Sequence, residues 1–397
     1  MAKKAKIMRY LNMRTVKAGF FSTICRLPKL RNYLHYYQDA EGFESLADPG
    51  SLRVFSISPS RDYGINFTAG ERKDIMLYDK TTVDNMLVTF KMARVSDVSV
   101  LGSSGVSVSL RSGKALHMGT GSKRLHRNWV IARPLKPIPS NNARTYINLL
   151  WVNKGHRHFS HFFLDTLIPL MVYLKRWREP EEKVVLLVRE DLSVIQQDAY
   201  RFIEEDFPGV VVQKLPADRK ITCTNTIFLA YENLIRGRDN FLERDTLLGI
   251  RDMFLRRYGS TSAEQERKSR LYLLRGKVPL RHIRNEDEVL RMLARYGVEP
   301  RDTMSMSFPE QARLLSGAEL VVAPHGSALT NLMFAGTDTK VLEIFPANYR
   351  DDTFLKIAKA MGQSYSYFLA GKGDPVRTNF NVDVAGLEEA LLVLLAN

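Results

Sequence analysis

An α/β fold is predicted for this chain on three observations. Apolar runs of strand length alternate with helix-period segments from Leu271 to Pro346, as in LYLLRGKVPLRHIRNEDEVL and VLEIFP. Loops bearing Arg, Asn, His and Gly follow those runs, at the strand ends where open parallel sheets hold ligands. The same alternation occurs earlier, around KVVLLVR, and the polar stretch TSAEQERKS separates the two. Together these predict two Rossmann-like domains facing a cleft, with a β-rich N-terminal extension. An enzyme acting on a phosphate-bearing donor is the leading idea for such a protein.

Composition sets the outer bounds. The 397 residues are enough for two full cores, and 45% hydrophobic with 25% charged residues is ordinary for a globular chain. The two cysteines, Cys25 and Cys223, are far apart, so neither a disulfide framework nor a metal-ligand spacing is present. The net charge of +15 favours an anionic partner: nucleic acid, anionic lipid or a phosphorylated substrate. Much of that charge is local, in Lys3, Lys4, Lys6, Arg9, Arg14, Lys17, Arg26, Lys29 and Arg31, with Ile7, Leu11, Phe20 and Phe21 interleaved and no acid before Asp39. Such a segment either lies on an anionic membrane surface or is a solvated basic tail. No apolar run is long enough to span a bilayer.

The elements follow in order. Residues 1–49 are the basic segment, and 50–259 the N-terminal domain, which opens with β-rich, turn-rich sequence through about residue 135. A Pro/Asn-rich connector, Ala132–Arg144, leads to a strand over Tyr146–Val152 and a helix over His158–Trp177. A strand over Lys183–Arg189, a helix over Ser193–Glu205, strands in VVVQKL and TNTIFLA, and a helix over Asp245–Tyr258 complete that domain. Residues 260–383 form the ligand-binding domain. Its strands are Leu271–Arg275, a short run near Val298, Leu320–Ala323 and Val341–Phe345. Its helices are Asn285–Tyr296, one capped by Ser307 with Glu310 as capping-box partner, one opening near Gly326, and Asp352–Met361. Residues 384–397 give a terminal helix expected to pack back on the first domain.

SFPEQARLLSGAELVVAPHGSALTNLMF, the Arg-rich loop after Leu271 and the upstream HFFLDTLIPL together resemble glycosyltransferase family 61, over roughly residues 90–350. The family commonly has Trp where Phe162 stands and Ala where Ser327 stands. The resemblance implies a GT-B fold, inverting transfer and a nucleotide-sugar donor, usually UDP-linked. No membrane anchor or secretory signal is read here, so the bacterial, cytoplasm-facing branch is expected. That branch makes capsule and surface polysaccharide. Its acceptor would be a glycan or glycolipid, with the enzyme peripheral on the inner face of the membrane.

Sugar transfer from a nucleotide diphosphate needs charge stabilisation on the leaving group and, for inversion, a base for the acceptor hydroxyl. No Asp-x-Asp metal signature is present, and no metal or other cofactor is expected. Arg275 at a strand end, with Arg284 and less strongly Arg281 in the next loop, can meet phosphate oxygens bidentately, or be surface arginines beside the acidic helix start at Asn285. Asn285 itself joins the donor-binding set. His325, Gly326 and Ser327 sit where a strand meets a helix, so His325 contacts either the donor or only a neighbouring loop. Asn331 and Thr330 fit bracing better than donor contact. Glu343, inside an apolar strand, needs a partner: a ribose, or an arginine in an ion pair. His158, His161 and Asp165 share one helix face, where His161 or Asp165 serves as the base or the cluster merely caps the helix. His158-x-x-His161 lacks a third ligand for zinc. The competing readings are a sugar-nucleotide-binding protein without turnover and, on charge alone, a nucleic-acid binder; no nucleic-acid motif supports the latter.

Overall fold

A computed structural model describes residues 40–42, 47–57, 62, 68–76, 88–102, 105–112, 115–117, 135–150, 158–233, 243–259, 268–275 and 278–396. The basic segment up to residue 39, Cys25, part of the connector and the polar stretch at 260–267 lie outside the described residues. The chain divides into two compact units, each assembled from separated stretches. One draws on residues within 1–55, 90–156 and 173–232, the other on residues within 56–89, 157–172 and 233–397.

The first unit holds two six-stranded sheets. Its strands are β1 (Ala40–Gly42), β2 (Arg53–Ile57), β3 (Val88–Val95), β4 (Val98–Leu101), β5 (Ser107–Ser109), β6 (Ala115–His117), β7 (Lys136–Ile138), β8 (Thr145–Asn148), β9 (Val184–Val188), β10 (Val210–Lys214), β11 (Arg219–Cys223) and β12 (Thr226–Asn233). One sheet runs β10-β9-β8-β12-β3-β2, and its first four strands are parallel. β9 is buried at every residue, as a strand covered on both faces must be, which explains the unbroken VVLLV. The other sheet runs β1-β6-β5-β4-β11-β7 and contains the expected β-rich hairpins, with β4, β5 and β6 antiparallel in turn. β11 is absent from the sequence expectation. Arg219 and Lys220 break its apolar pattern, and it forms by pairing antiparallel with β4 and parallel with β7. β8 ends at Asn148, whose side-chain amide donates to the Gly105 carbonyl and the Ser107 hydroxyl, and residues 151 and 152 of the expected strand lie outside the described residues. Burial pushes the Cys223 thiol up to about 12, so it is an inert core residue.

The second unit is built on one parallel sheet of β13 (Ser269–Leu273), β14 (Val298–Arg301), β15 (Ala318–Pro324), β16 (Lys340–Pro346) and β17 (Ser364–Ala370). The order is β14-β13-β15-β16-β17. The chain therefore reverses direction between β13 and β15, and the carboxyl ends of these two strands flank the switch point where doubly wound sheets bind ligands. β17 is a second strand absent from the sequence expectation.

On one sheet face, Leu320, Val322, Leu342 and Ile344 pack with Val289, Met292 and Leu293 of the helix Glu286–Ala294 and with Leu387, Leu391 and Leu394 of the terminal helix Val384–Ala396. The terminal helix, expected to pack back on the first domain, covers its own sheet. Its leucines at a three-to-four-residue spacing fill the groove beside the Glu286–Ala294 helix.

Two helices differ in detail from regular α geometry. The helix expected to open near Gly326 is present as a 3₁₀ helix, Ser327–Phe334. The expected helix over His158–Trp177 runs from Phe159 to Arg176 but widens to a π turn at Phe162–Leu167. Pro169 lacks the N–H that would bond back to the Asp165 carbonyl, so regular α geometry fails one turn earlier. The sequence expectation grouped this helix with the preceding strands. Its aromatic residues instead pack in the second unit: the Phe163 ring lies 5.6 Å from Phe308, 5.7 Å from Phe254 and 6.3 Å from Phe334. Phe254 comes from the helix Arg244–Tyr258 and Phe308 from Phe308–Ser316, whose capping box is formed as expected, with the Ser307 N–H donating to Glu310 at 2.7 Å.

Candidate active site

Both candidate clusters lie in the second unit. At the switch point, Arg275 follows β13 and His325 follows β15. An Arg275 Nη1 hydrogen bond to the His325 carbonyl joins the two strand ends. Gly326 permits that approach, since a Cβ there would lie 2.1 Å from Arg275 Nη1. The Arg275 Nε is buried without a hydrogen-bond partner. Burial, and then the neighbouring charge of Arg281, lowers the guanidinium to about 10.

The His325 side chain is 5% exposed, and its Nδ1 lies 2.5 Å from Glu343 Oε1. Tyr365 donates to the other carboxylate oxygen at 2.7 Å. Glu343 is therefore satisfied by a histidine and a tyrosine, neither of which was paired with it from sequence. Along β16, Leu342 and Ile344 face the helix-covered core while Glu343 points to the opposite face. Complete burial pushes the Glu343 carboxyl up, against the pull of His325 and Tyr365. The His325 ring is stacked on Phe345 at 5.0 Å, with Phe354 at 5.1 Å and Tyr349 at 5.5 Å. With Nδ1 engaged, Nε2 is the ring nitrogen that Glu343 leaves available. Burial opposes ionisation of nearby Asp351, yet the charge of His325 and the Thr353 hydrogen bonds hold its carboxyl below the usual range.

The remaining sequence candidates divide. Ser327 is exposed at the start of the 3₁₀ helix. Asn331 is fully buried and donates to Gln311 at 3.0 Å, and Gln311 in turn donates to the Thr303 carbonyl, so Asn331 acts as a brace. Asn285 clamps Val382 with both ends of its amide, at 2.9 and 3.0 Å. Arg284 is half exposed and paired with Asp374 at 3.1 Å. It faces that loop rather than Arg275.

The other cluster sits on the Phe159–Arg176 helix. His161 Nδ1 lies 2.7 Å from Asp165 Oδ2, with the imidazole 36% exposed and the carboxylate 5%. The fixed Nδ1 contact sets the tautomer and leaves Nε2 for chemistry. His158 is exposed and its ring stands edge-on to His161 at 5.8 Å. This first turn, Phe159–His161, packs against the 3₁₀ helix that starts just after His325 and Gly326. The fold thus brings the two imidazole–carboxylate pairs onto neighbouring elements. Sequence reading missed Tyr365, Tyr349, Phe345 and Phe354. The one available signal was the aromatic density of FPANYRDDTF directly after a strand.

A family model described as Glycosyltransferase 61 matches residues 159–342. That stretch begins in the turn carrying His161 and takes in Asp165, Arg275 and His325. Among curated proteins, the chain is 30% identical over 129 residues to a beta-1,2-xylosyltransferase, RCN11, of Oryza sativa subsp. japonica. The matched stretch is 30% of this chain and 22% of that relative's length. The motifs, the sheet that carries most of them and the family match agree, and over residues 159–342 the chain is similar to glycosyltransferase family 61.

Proposed function

We propose that this protein is an inverting glycosyltransferase of the GT-B type, moving a sugar from a UDP-sugar to a hydroxyl of a glycan or lipid-linked acceptor in bacterial surface-polysaccharide synthesis. The observation that carries this reading is the junction of Arg275 with the His325–Gly326 backbone at the switch point of the five-stranded sheet. A partly buried guanidinium with an unpartnered Nε, at the strand ends where such sheets hold nucleotides, suits a diphosphate leaving group. Arg275 and the Nε2 of His325 would take up the charge that develops as the bond from the sugar C1 to the diphosphate oxygen breaks. His161, oriented by Asp165, would accept the proton of the acceptor hydroxyl as that oxygen attacks C1. Metal-independent transfer follows in this reading, because fixed cations take the part of the ion. An anionic membrane surface would attract the basic N-terminal segment. The family match supports the transfer chemistry, and the rice relative makes xylose one sugar to try.

The test is a thermal-shift panel of UDP-, GDP- and CMP-sugars with EDTA present. A donor at 100 times its Kd stabilises the protein by about 2.7 kcal/mol through mass action. A clear shift is expected with a UDP-sugar and is lost in Arg275→Ala. If no nucleotide sugar shifts the protein, the donor-site reading fails.

A further inference from the structure

Arg281, the weaker phosphate candidate in the sequence, has no part in the transfer chemistry above. It stands in the loop after β13 with φ of +60°, a left-handed conformation that is costly for a residue with a side chain. The fold enforces it. Arg281 N–H donates to the Arg377 carbonyl at 2.9 Å, His282 N–H to Asn379 Oδ1 at 2.9 Å, and Arg284 N–H to the Phe380 carbonyl at 2.8 Å. The guanidinium lies over the Tyr349 ring, 4.6 Å from its centroid, and Tyr349 in turn touches His325. Its Nε, like that of Arg275, is buried without a hydrogen-bond partner. Among the described residues neither guanidinium is paired with a carboxylate within salt-bridge distance. The two are close enough that the charge of Arg281 helps to lower Arg275.

Two like charges held together by a strained, laced loop are unfavourable unless an anion joins them. We infer that Arg281, seated on Tyr349, is a second phosphate-binding residue that makes this site selective for a diphosphate over a monophosphate. Arg275 serves one phosphate and Arg281 the other. The two positive charges match the two negative charges of a sugar diphosphate. Tyr349 acts as a positioning residue by fixing the plane of the Arg281 guanidinium. This deepens the donor-site reading and rests on it.

Calorimetric titration of the full chain with UDP, UMP and inorganic pyrophosphate, in EDTA, separates the possibilities. Wild type is expected to bind UDP more tightly than UMP. Arg281→Ala should weaken UDP and pyrophosphate about 10- to 100-fold, the loss of charge-assisted hydrogen bonds, and leave UMP within about threefold. Tyr349→Leu, which keeps Arg281 but removes its seat, should cost UDP roughly 3- to 10-fold with the same sparing of UMP. It provides the test if the alanine variant fails to fold. Equal losses for UDP and UMP, or no loss for either, would overturn the assignment of Arg281 while leaving the donor site intact. Failure of wild type to bind any of the three probes would instead remove the donor-site reading itself.

Discussion

The second unit holds the same pair of groups twice, in opposite surroundings. His325 and Glu343 are buried, ringed by Phe345, Tyr349 and Phe354, and the carboxylate is shared with Tyr365. His161 and Asp165 sit on a helix turn where the carboxylate is buried and the imidazole remains accessible. A buried histidine fixed at Nδ1 and packed among aromatic rings suits holding a fixed hydrogen bond or charge. One fixed at Nδ1 and open beyond it suits taking up and releasing a proton. In the proposed reading the pairing is a shared component, and burial separates its two roles. The contrast also shows why a short His–Asp spacing within one helix was visible in sequence. The His325–Glu343 pair, by contrast, spans two strands and needed the sheet register to appear.

That contrast can be broken at four points. The largest expected effect is on turnover: His161→Ala should lower kcat on the order of 10²- to 10⁴-fold while a nucleotide sugar still stabilises the protein to heat. A variant with wild-type turnover would leave the accessible pair without a catalytic part. Glu343→Ala acts on the fold instead, since it strands a buried imidazole and a tyrosine hydroxyl. A loss of about 3 kcal/mol is expected in urea unfolding. Asp165→Asn keeps the shape but loosens control of the His161 tautomer, so kcat should fall roughly 10- to 100-fold with KM for the donor little changed. Tyr365→Phe is the mildest, with about 1 kcal/mol of stability lost and catalysis near normal.

The buried pair also carries a pH signature. Burial raises the Glu343 carboxyl in the folded protein, so the folded state binds this proton more tightly than the unfolded chain does. Its contribution to stability is complete below the ordinary glutamate value of about 4.3 and is lost as pH rises through the raised folded value. Asp351 has the opposite sign: its lowered carboxyl contributes above the ordinary aspartate range and loses that contribution as pH falls through the lowered value. Unfolding curves across this range should therefore show Glu343→Gln removing the decline on the alkaline side. An unchanged profile would mean that Glu343 does not titrate there.

Much of the second unit was legible because its local signals agree. Ser307 with Glu310 fixes a helix start, Gly297 at φ of +68° ends the turn after another, and LVVAP and VLEIFP are too apolar and too short for anything but buried parallel strands. β11 and β17 were not legible, because charged or polar residues interrupt both and they exist only through pairing with neighbours. Among site residues, Arg275, His325 and Gly326 come together at the switch point, while Asn285, Asn331 and Arg284 are occupied with holding loops. Five of them lie in loops or at loop–helix junctions after strands, and Asn331 lies inside the 3₁₀ helix that follows one, so sequence position alone does not separate candidate ligand contacts from braces.

The sequence by itself determined the α/β class, the strand-end placement of Arg275 and His325, and the single helix face shared by His161 and Asp165, because each depends on spacing along the chain. Only the tertiary structure decided that Glu343 belongs to His325 and Tyr365, that Arg281 is stacked on Tyr349, and that residues 158–172 belong to the second unit. Those facts depend on which buried groups meet across strands and loops. A buried carboxylate or guanidinium takes the partner that the packing brings within reach, and chain order does not encode that distance.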